Sequence, residues 1–291
     1  SGAVNTSGSS FVFYGGSQTI DAEGFNFNNV QLNSQGNIIL ARPLKVDGDF
    51  TITGINLIEG ERVEIKGNYS STNTFFWGNG VEVYMVGSNN QTVNLAGTSG
   101  LKKSILINKP SGIVTLGANL VHSSGWQNIN IVNGTLDLNG FNVTLGGSLK
   151  NSGLVKLIGS EVVTLGALDN SGQGTVTYYG TDSYPTLALG DSYYHLNVAG
   201  NVTQDYQLSV LGNLNITGTL NSAGYNLFVG GDFNNTGTYT GGANSVYLIG
   251  KHQTIYGSNS FNNLIKRNNT SASLTFSAGS TQTISGVLEL N

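Results

Sequence analysis

The sequence repeats one short strand-like phrase at long and nearly fixed intervals. Its five copies all end in glycine: FVFYG at 11–15, VYMVG at 83–87, VKLIG at 155–159, VTYYG at 176–180 and VYLIG at 246–250. The final glycines of the first three copies are 72 residues apart and those of the last two are 70 apart, whereas Gly159 and Gly180 are separated by 21. Such a period is typical of proteins in which one structural unit stacks on the next.

Other phrases recur in the same order within each period. Three copies are followed by Gln-Thr and a β-branched residue, at Gln18, Gln91 and Gln253. A 21-residue segment aligns without gaps at 53–73, 133–153 and 217–237, with glycines and alternating apolar residues at the same places. Alternation between glycine-rich turns indicates short strands rather than helices.

These patterns predict an all-β fold, a parallel β-helix or β-solenoid. The 21-residue interval matches one extra coil, because a solenoid accepts a coil without disturbing its neighbours. We expect about 12 to 13 coils of about 21 to 24 residues in roughly four modules, each holding about three coils. A pair of β-sandwiches is the competing architecture, but a sandwich gives no reason to repeat phrases in order over this distance.

The predicted domain organisation is a single β-solenoid over residues 1–291. The modules cover approximately 11–82, 83–174 with the extra coil, 175–245, and a truncated 246–291. Residues 1–10 are interpreted as an N-terminal extension and as a candidate inter-subunit strand.

Composition excludes several classes of partner. Hydrophobic residues make up 38% of the chain, which is enough for a core, but charged residues are only 10% and the net charge is -4. Without clusters of Lys and Arg we expect no nucleic-acid partner, and without a long apolar stretch we expect no membrane insertion. The absence of cysteine excludes disulfides and thiolate metal sites. A start at Ser1 rather than Met is expected after removal of a signal peptide.

No residue is predicted to be catalytic, cofactor-binding or metal-binding, so the chain is not expected to be an enzyme. Carbohydrate-cleaving enzymes converge several carboxylates on one site. The nearest acidic groups in this sequence are Asp47 with Asp49, and Glu59, Glu61 and Glu64 with Arg62. They flank a turn or alternate with apolar residues, which favours a solvated outer face. The three histidines are isolated in sequence: His122, His195 and His252.

Asn-x-Ser/Thr sequons are numerous, and they are candidate glycosylation sites. A chain this rich in Asn, Ser and Thr contains about as many by chance, so they identify no modification by themselves. The sequon asparagines are Asn68, Asn90, Asn133, Asn142, Asn201, Asn215, Asn234 and Asn268.

The phrases QTI, FNNL, GTL and VGGDFNNTG, separated by Gly and Asn turns, resemble repeats in large secreted bacterial and archaeal surface proteins of β-helical type. That group includes adhesin-like and filament-like proteins. The resemblance implies an extracellular location, secreted or on the cell surface, and a role in adhesion or filament structure. It supplies no catalytic residue.

Neither end of the sequence has the polar or helical pattern that caps an isolated solenoid. We therefore expect head-to-tail self-assembly into a homopolymer. The candidate inter-subunit contacts are Ser1, Ala3, Val4, Phe11, Ile284, Val287, Leu288 and Leu290.

The predicted function is that of an extracellular structural protein, a subunit of a surface filament or similar assembly. The alternative is an adhesin or carbohydrate-binding stalk, with surface glycans or other cells as partners. A polysaccharide-acting β-helix enzyme is the third hypothesis.

Overall fold

A computed structural model describes residues 8–72, 76–77, 81–95, 104–122, 128–268 and 271–290. This part of the chain is nearly all β-strand and forms a parallel β-solenoid of about 13 turns, which confirms the predicted fold class. Its one helical element is a 3₁₀ turn at Asn170–Gly172. None of the described helices is long and apolar enough to cross a membrane.

The contacts divide the chain into two compact units. The first comprises Ser1–Leu154 with Val162–Gly172, and the second comprises Val155–Glu161 with Gln173–Asn291. The prediction of a single folding domain stays a prediction.

Through β13, the turns of the first unit are built from three strand columns, so that three successive strands complete one turn. The longer β14 runs through two columns, because it pairs with β12 at Ile105 and with β13 at Val114. The first column is β1, β4, β7, β10 and β13, the second is β2, β5, β8 and β11, and the third is β3, β6, β9, β12 and β14. The strands are β1 (Ser10–Gly15), β2 (Gln18–Ile20), β3 (Asn26–Phe27), β4 (Asn29–Ser34), β5 (Asn37–Leu40), β6 (Leu44–Val46), β7 (Phe50–Gly54), β8 (Leu57–Gly60), β9 (Val63–Ile65), β10 (Tyr69–Ser71), β11 (Phe76–Trp77), β12 (Val83–Met85), β13 (Gln91–Leu95), β14 (Ile105–Leu116), β15 (Leu120–His122), β16 (Ile129–Asp137), β17 (Val143–Asn151), β18 (Leu154–Leu157, of which only Leu154 belongs here) and β19 (Val163–Asp169).

The second unit repeats the three-column plan. Its first column is β20, β23, β26, β29, β32 and β35; its second is β21, β24, β27 and β30, with β33 and β36 as a separate pair; its third is β22, β25, β28, β31, β34 and β37. The strands are β20 (Thr175–Tyr178), β21 (Ser183–Tyr184), β22 (Ser192–Tyr193), β23 (His195–Val198), β24 (Asn201–Thr203), β25 (Leu208–Val210), β26 (Leu214–Ile216), β27 (Thr219–Asn221), β28 (Leu227–Val229), β29 (Phe233–Asn235), β30 (Thr238–Thr240), β31 (Ser245–Leu248), β32 (His252–Tyr256), β33 (Asn259–Phe261), β34 (Asn263–Lys266), β35 (Ser273–Phe276), β36 (Gln282–Ile284) and β37 (Leu288–Leu290).

The core of each unit consists of columns of side chains that point inward from alternate strand positions. In the second unit, Leu196 pairs with Leu214, which pairs with Phe233, and all three are fully buried. Phe50 and Tyr69 stack in the same way in the first unit, with ring centroids 5.7 Å apart. Inward apolar ladders are thus confirmed, although Tyr14 and Tyr206 point outward and are largely exposed.

Asparagine and aspartate side chains at the corners cap the backbone of the following turn. The Asn29 Oδ1 accepts the Asp49 N–H at 2.8 Å, and the Asp49 Oδ1 accepts the Asn68 N–H at 2.7 Å. In the second unit, Asn213 caps the Asp232 N–H at 2.9 Å. These bonds satisfy amides at which the ladder is interrupted, which explains why the chain needs so many corner amides.

Several turns are shorter than the predicted 21 to 24 residues. Asn197 and Asn215 occupy the same ladder position on neighbouring turns and are 18 residues apart, whereas Asn263 contacts Val287 across 24. Turn length varies because loops at the corners lie on the outside and accept insertions without changing the paired strands.

An interval of 70 to 72 residues between copies of the glycine-ended phrase spans three full turns and two further columns, so the copies change column. The first copy forms β1 in the first column, whereas the second copy forms β12 in the third column, three turns and two columns along. In the second unit, the copies in β20 and β31 are again in the first and third columns. The phrase fits any column, because each one requires only alternating inward apolar residues followed by a tight corner.

Candidate assembly site: the first and last described turns

The last described turn leaves inward-facing residues in contact with solvent. In β37, Leu288 is 49% exposed and Leu290 is 58% exposed, whereas Leu264, which pairs with Leu288 on the preceding turn, is fully buried. Phe276 in β35 and Val287 are exposed as well. The exposure arises because a solenoid turn buries its inward residues only when another turn covers each side.

The backbone edge of this turn is also open. β35, β36 and β37 pair with β32, β33 and β34, and no other described strand pairs with their far edges. Ile284, a predicted contact residue in β36, is half-buried. An edge of this type offers N–H and C=O groups to an additional parallel strand.

The first described turn also has an open strand edge and incompletely buried apolar residues. β1 pairs with β4 on one side only among the described strands. Phe11 is half-buried and packs edge to face against Phe27, with ring centroids 4.9 Å apart, and Phe13 lies 6.0 Å from the same ring. Three other predicted contact residues, Ser1, Ala3 and Val4, lie outside the described residues.

The Gln-Thr-Ile phrase occurs in both terminal turns. In β36, the Gln282 Nε2 donates to the Gly257 carbonyl of the preceding turn at 2.7 Å, and the Gln282 Oε1 accepts from Asn259 at 2.9 Å. In β2, the Gln18 Nε2 donates instead to the Tyr14 carbonyl of its own turn. Gln18 is therefore the same residue type as Gln282 at the equivalent position, but it lacks the hydrogen bond that Gln282 makes to the preceding turn.

Three of the charged residues singled out in the sequence, Asp47, Arg62 and Glu64, form ion pairs on the outer face of the first unit. Asp47 pairs with Lys66 at 2.7 Å and Arg62 pairs with Glu64 at 2.7 Å, while the Arg62 guanidinium lies 5.4 Å from the Tyr84 ring centroid. Partial burial, and then the bond to Glu82, raise the pKa of Tyr84. Within the described ranges, no three His, Asp or Glu side chains group in a way that could hold a metal ion.

The histidines are not brought together in the described parts. The His195 Nδ1 accepts the Asn213 N–H at 2.9 Å, and partial burial lowers the pKa of this imidazole. His252 lies 2.9 Å from the Ser273 hydroxyl on the surface. The side chain of His122 lies outside the described residues.

Several sequon asparagines have structural hydrogen bonds. Asn68, Asn90 and Asn142 accept the N–H of Thr92, Ile113 and Val162 on the following turn. The remaining sequon asparagines either bond through Nδ2 or lie on the surface: Asn201, Asn215 and Asn268 bond to Thr181, Asn197 and Ile249, whereas Asn133 is exposed and Asn234 is half-buried. Glycosylation of these residues stays a prediction.

Two buried glutamine–lysine pairs were not predicted from the sequence. The Lys109 Nζ lies 2.5 Å from the Gln91 Oε1, and the Lys266 Nζ lies 2.7 Å from the Gln253 Oε1. Lys109 is fully buried and Lys266 is 3% exposed. A lysine at an inward position of an apolar alternation, as in LIK before Arg267, is the signal that could have revealed them.

An exposed aromatic pair was also missed. Tyr206 and Tyr225 occupy corners of successive turns in the second unit, with ring centroids 6.4 Å apart, and both are exposed. Nearby, the Phe228 and Tyr247 rings stack at 4.6 Å, and the Arg267 guanidinium lies 5.0 Å from the Tyr247 ring centroid. The sequence shows these tyrosines but not which way they point.

Comparison with known proteins finds no family model that matches the chain, and no curated sequence or solved structure that is similar to it.

Proposed function

We propose that this protein is an extracellular structural protein that assembles into a surface filament by end-to-end stacking of β-solenoids. The proposal is carried by one observation: Leu288 and Leu290 occupy core positions of the last described turn but are about half exposed. Burying such residues against a further turn is favourable, at roughly 25 cal/mol per Å² of apolar surface. The resemblance to secreted β-helical surface proteins supports the location.

The first turn of a second copy is a suitable partner for this surface. The strands β1, β2 and β3 follow the same order and direction as β35, β36 and β37, so three parallel ladders can continue across the junction. Phe11 and Phe13 would then cover the apolar residues of β35. Because head-to-tail contacts of this kind do not close, the product is a filament.

The Gln-Thr-Ile phrase gives the junction a register. Gln282 donates to Gly257, which lies two residues beyond Ile255, and Ile255 pairs with Phe276. Ala278 lies two residues beyond Phe276, as Gly257 lies two residues beyond Ile255. If Gln18 of the next copy repeats the contact of Gln282, its Nε2 would therefore donate to the carbonyl of Ala278. The stacked copies would thereby repeat an internal contact of the chain.

Charge substitution at the edge tests the proposal. We expect the wild-type chain to sediment as polymers at rising concentration and to form filaments in negative-stain micrographs. The double variant Leu288→Lys/Leu290→Lys is expected to remain monomeric, because each lysine occupies an inward slot of the junction. The matched control is Glu289→Lys, which lies between the two leucines on the outward face and is expected to polymerise.

Two results would contradict the proposal. One is a wild-type chain that stays monomeric at every concentration, which would indicate that other turns or another protein cover these surfaces. The other is a Leu288→Lys/Leu290→Lys variant that assembles like the wild type. Deletion of residues 1–10 tests separately the predicted role of the N-terminal extension.

An adhesin or carbohydrate-binding stalk is the second candidate, and the Tyr206–Tyr225 pair favours it. Aromatic rings that are exposed to solvent on a protein surface are typical of binding sites. Titration with soluble glycans should then show binding that Tyr206→Ser/Tyr225→Ser abolishes and that Tyr14→Ser, an exposed tyrosine of the first unit, preserves. Equal binding by both variants would exclude this pair as the site.

A further inference from the structure

We propose that Lys109 with Gln91, and Lys266 with Gln253, form intramolecular isopeptide cross-links that join neighbouring turns of the solenoid. The reaction is an amide exchange within the folded chain, in which the lysine amine replaces the ammonia of the glutamine carboxamide. This inference is independent of filament formation.

The glutamine carboxamides are held in fixed positions. The Gln91 Nε2 donates to the Ile65 and Gly67 carbonyls at 2.9 and 2.6 Å, and the Gln253 Nε2 donates to the Val229 and Gly231 carbonyls at 2.9 and 2.5 Å. All four carbonyls belong to the preceding turn. Both amide nitrogens are therefore anchored, and the carbonyl side of each carboxamide points toward a lysine.

The lysine amines approach from the other side. The Lys109 Nζ contacts the Gln91 Oε1 and, at 2.8 and 3.3 Å, the Asn89 and Val86 carbonyls. The Lys266 Nζ contacts the Gln253 Oε1 and the Gly250 carbonyl. The same juxtaposition therefore occurs once in each unit.

Both amines are buried without a compensating negative charge. No ion pair of the described residues includes Lys109 or Lys266. A buried ammonium group without a counter-charge is costly, and burial lowers the pKa of both lysines. A larger fraction of each amine is therefore the neutral nucleophile. Conversion to a neutral amide removes the buried charge permanently.

The bond changes balance without a further reactant. The lysine Nζ–glutamine Cδ bond forms and the Cδ–Nε2 bond breaks, and the nitrogen leaves as ammonia with one proton from the attacking amine. Positioning in the folded chain replaces the encounter of two molecules. The Gly250 N–H donates to the Gln253 Oε1 at 3.0 Å and stabilises negative charge on that oxygen. Because no carboxylate of the described residues pairs with either amine to transfer the proton, the reaction is expected to be slow and to proceed faster at Gln253 than at Gln91.

Intact-mass spectrometry of the denatured chain tests the proposal. After incubation of the folded protein at mildly alkaline pH, we expect a mass lower than that of the sequence by two ammonia molecules. The variants Lys109→Met and Lys266→Met should each lose one ammonia fewer than the wild type. A parallel incubation in denaturant should yield no cross-linked peptides, because unfolding separates the amine from the amide, and this control requires no substitution.

Peptide mapping identifies the linked residues. Gln253 and Lys266 lie in one tryptic peptide, 252–266, and a cross-link would block cleavage after Lys266 and yield 252–267 less one ammonia. Lys109 precedes Pro110, so the expected product at that pair is peptide 67–102 joined to peptide 104–150. Succinimide formation at Asn133-Gly134 also releases ammonia, but it joins no peptides and does not depend on either lysine.

The proposal is overturned if the folded wild type keeps the full mass of its sequence after prolonged incubation. It is also overturned if the Lys109→Met/Lys266→Met double variant loses as much ammonia as the wild type, or if the digest contains no linked peptides. In those cases the lysines are ammonium groups held by main-chain carbonyls.

Discussion

At the scale of single residues, glycines at the corners are required for two different physical reasons. Gly15 and Gly87 have φ values of 104° and 83°, which L residues with a side chain rarely adopt. Gly67 has an ordinary φ, but a Cβ there would overlap the Gly48 backbone and lie 2.6 Å from the Asp49 Oδ1. The second kind of glycine exists because successive turns approach each other closely beside a side-chain cap.

Substitution of Gly67 tests this close approach. Gly67→Ala is expected to reduce the free energy of unfolding by roughly 1 to 3 kcal/mol, because neither the Gly48 backbone nor the capping carboxylate can move freely. Gly16→Ala is the matched control, since Gly16 has open space around it and no positive φ. Urea denaturation of both variants would measure the difference, and equal stability would contradict the steric argument.

His195 predicts a pH dependence of stability. Its Nδ1 accepts the Asn213 N–H, so the folded state needs the neutral ring, and burial lowers the pKa in that state. Between that lowered pKa and the ordinary value of about 6.5, the unfolded chain binds more protons, so stability falls as the pH decreases through this window.

Replacement by asparagine, which can accept the same N–H, should remove this contribution. We expect thermal unfolding of His195→Asn to depend less on pH below about 6.5 than that of the wild type. His252→Asn is the control and should follow the wild-type dependence. An unchanged dependence in His195→Asn would mean that other groups cause it.

At the scale of elements, strands of three or four residues are stable only through their neighbours on the adjacent turns. Leu214 is completely buried because strands on both sides cover it, whereas the chemically equivalent Leu288 is about half exposed at the last described turn. Short strands leave frequent corners, and at each corner the ladder is interrupted. The corner amides restore the missing hydrogen bonds.

Loss of one cap should therefore have a measurable cost. Asn213→Ala leaves the Asp232 N–H without its partner and is expected to reduce stability by about 1 kcal/mol. Asn234→Ala, an outward position on β29, is the matched control and should change stability by less than about 0.5 kcal/mol. Denaturation midpoints that shift equally in both variants would show that the cap contributes nothing specific.

At the scale of the whole molecule, each turn contacts chiefly the turns before and after it. A substitution in one turn is therefore expected to destabilise mainly that turn and its neighbours. Phe233 shows this arrangement: it pairs with Leu214 and Ile255 on neighbouring turns, and its ring centroid is 5.5 Å from that of Phe261. A cavity at this position should weaken its own unit first.

Hydrogen exchange would detect that locality. Phe233→Ala is expected to cost roughly 3 to 5 kcal/mol and to accelerate amide exchange in β26, β29 and β32 of the second unit. Strands β4 and β7 of the first unit should keep their wild-type protection. Uniform acceleration in both units would instead indicate that the whole chain unfolds as one cooperative body.

The sequence by itself determined the fold class, because period-two alternation, glycine corners and ordered phrases are local properties that any parallel stack must satisfy. It did not determine which column each phrase occupies, since the turns vary in length and every column accepts the same alternation. Nor could it place Lys109 against Gln91 or Lys266 against Gln253. Those outcomes depend on which residues face each other across neighbouring turns, about 20 positions apart, and only the tertiary structure decides that register.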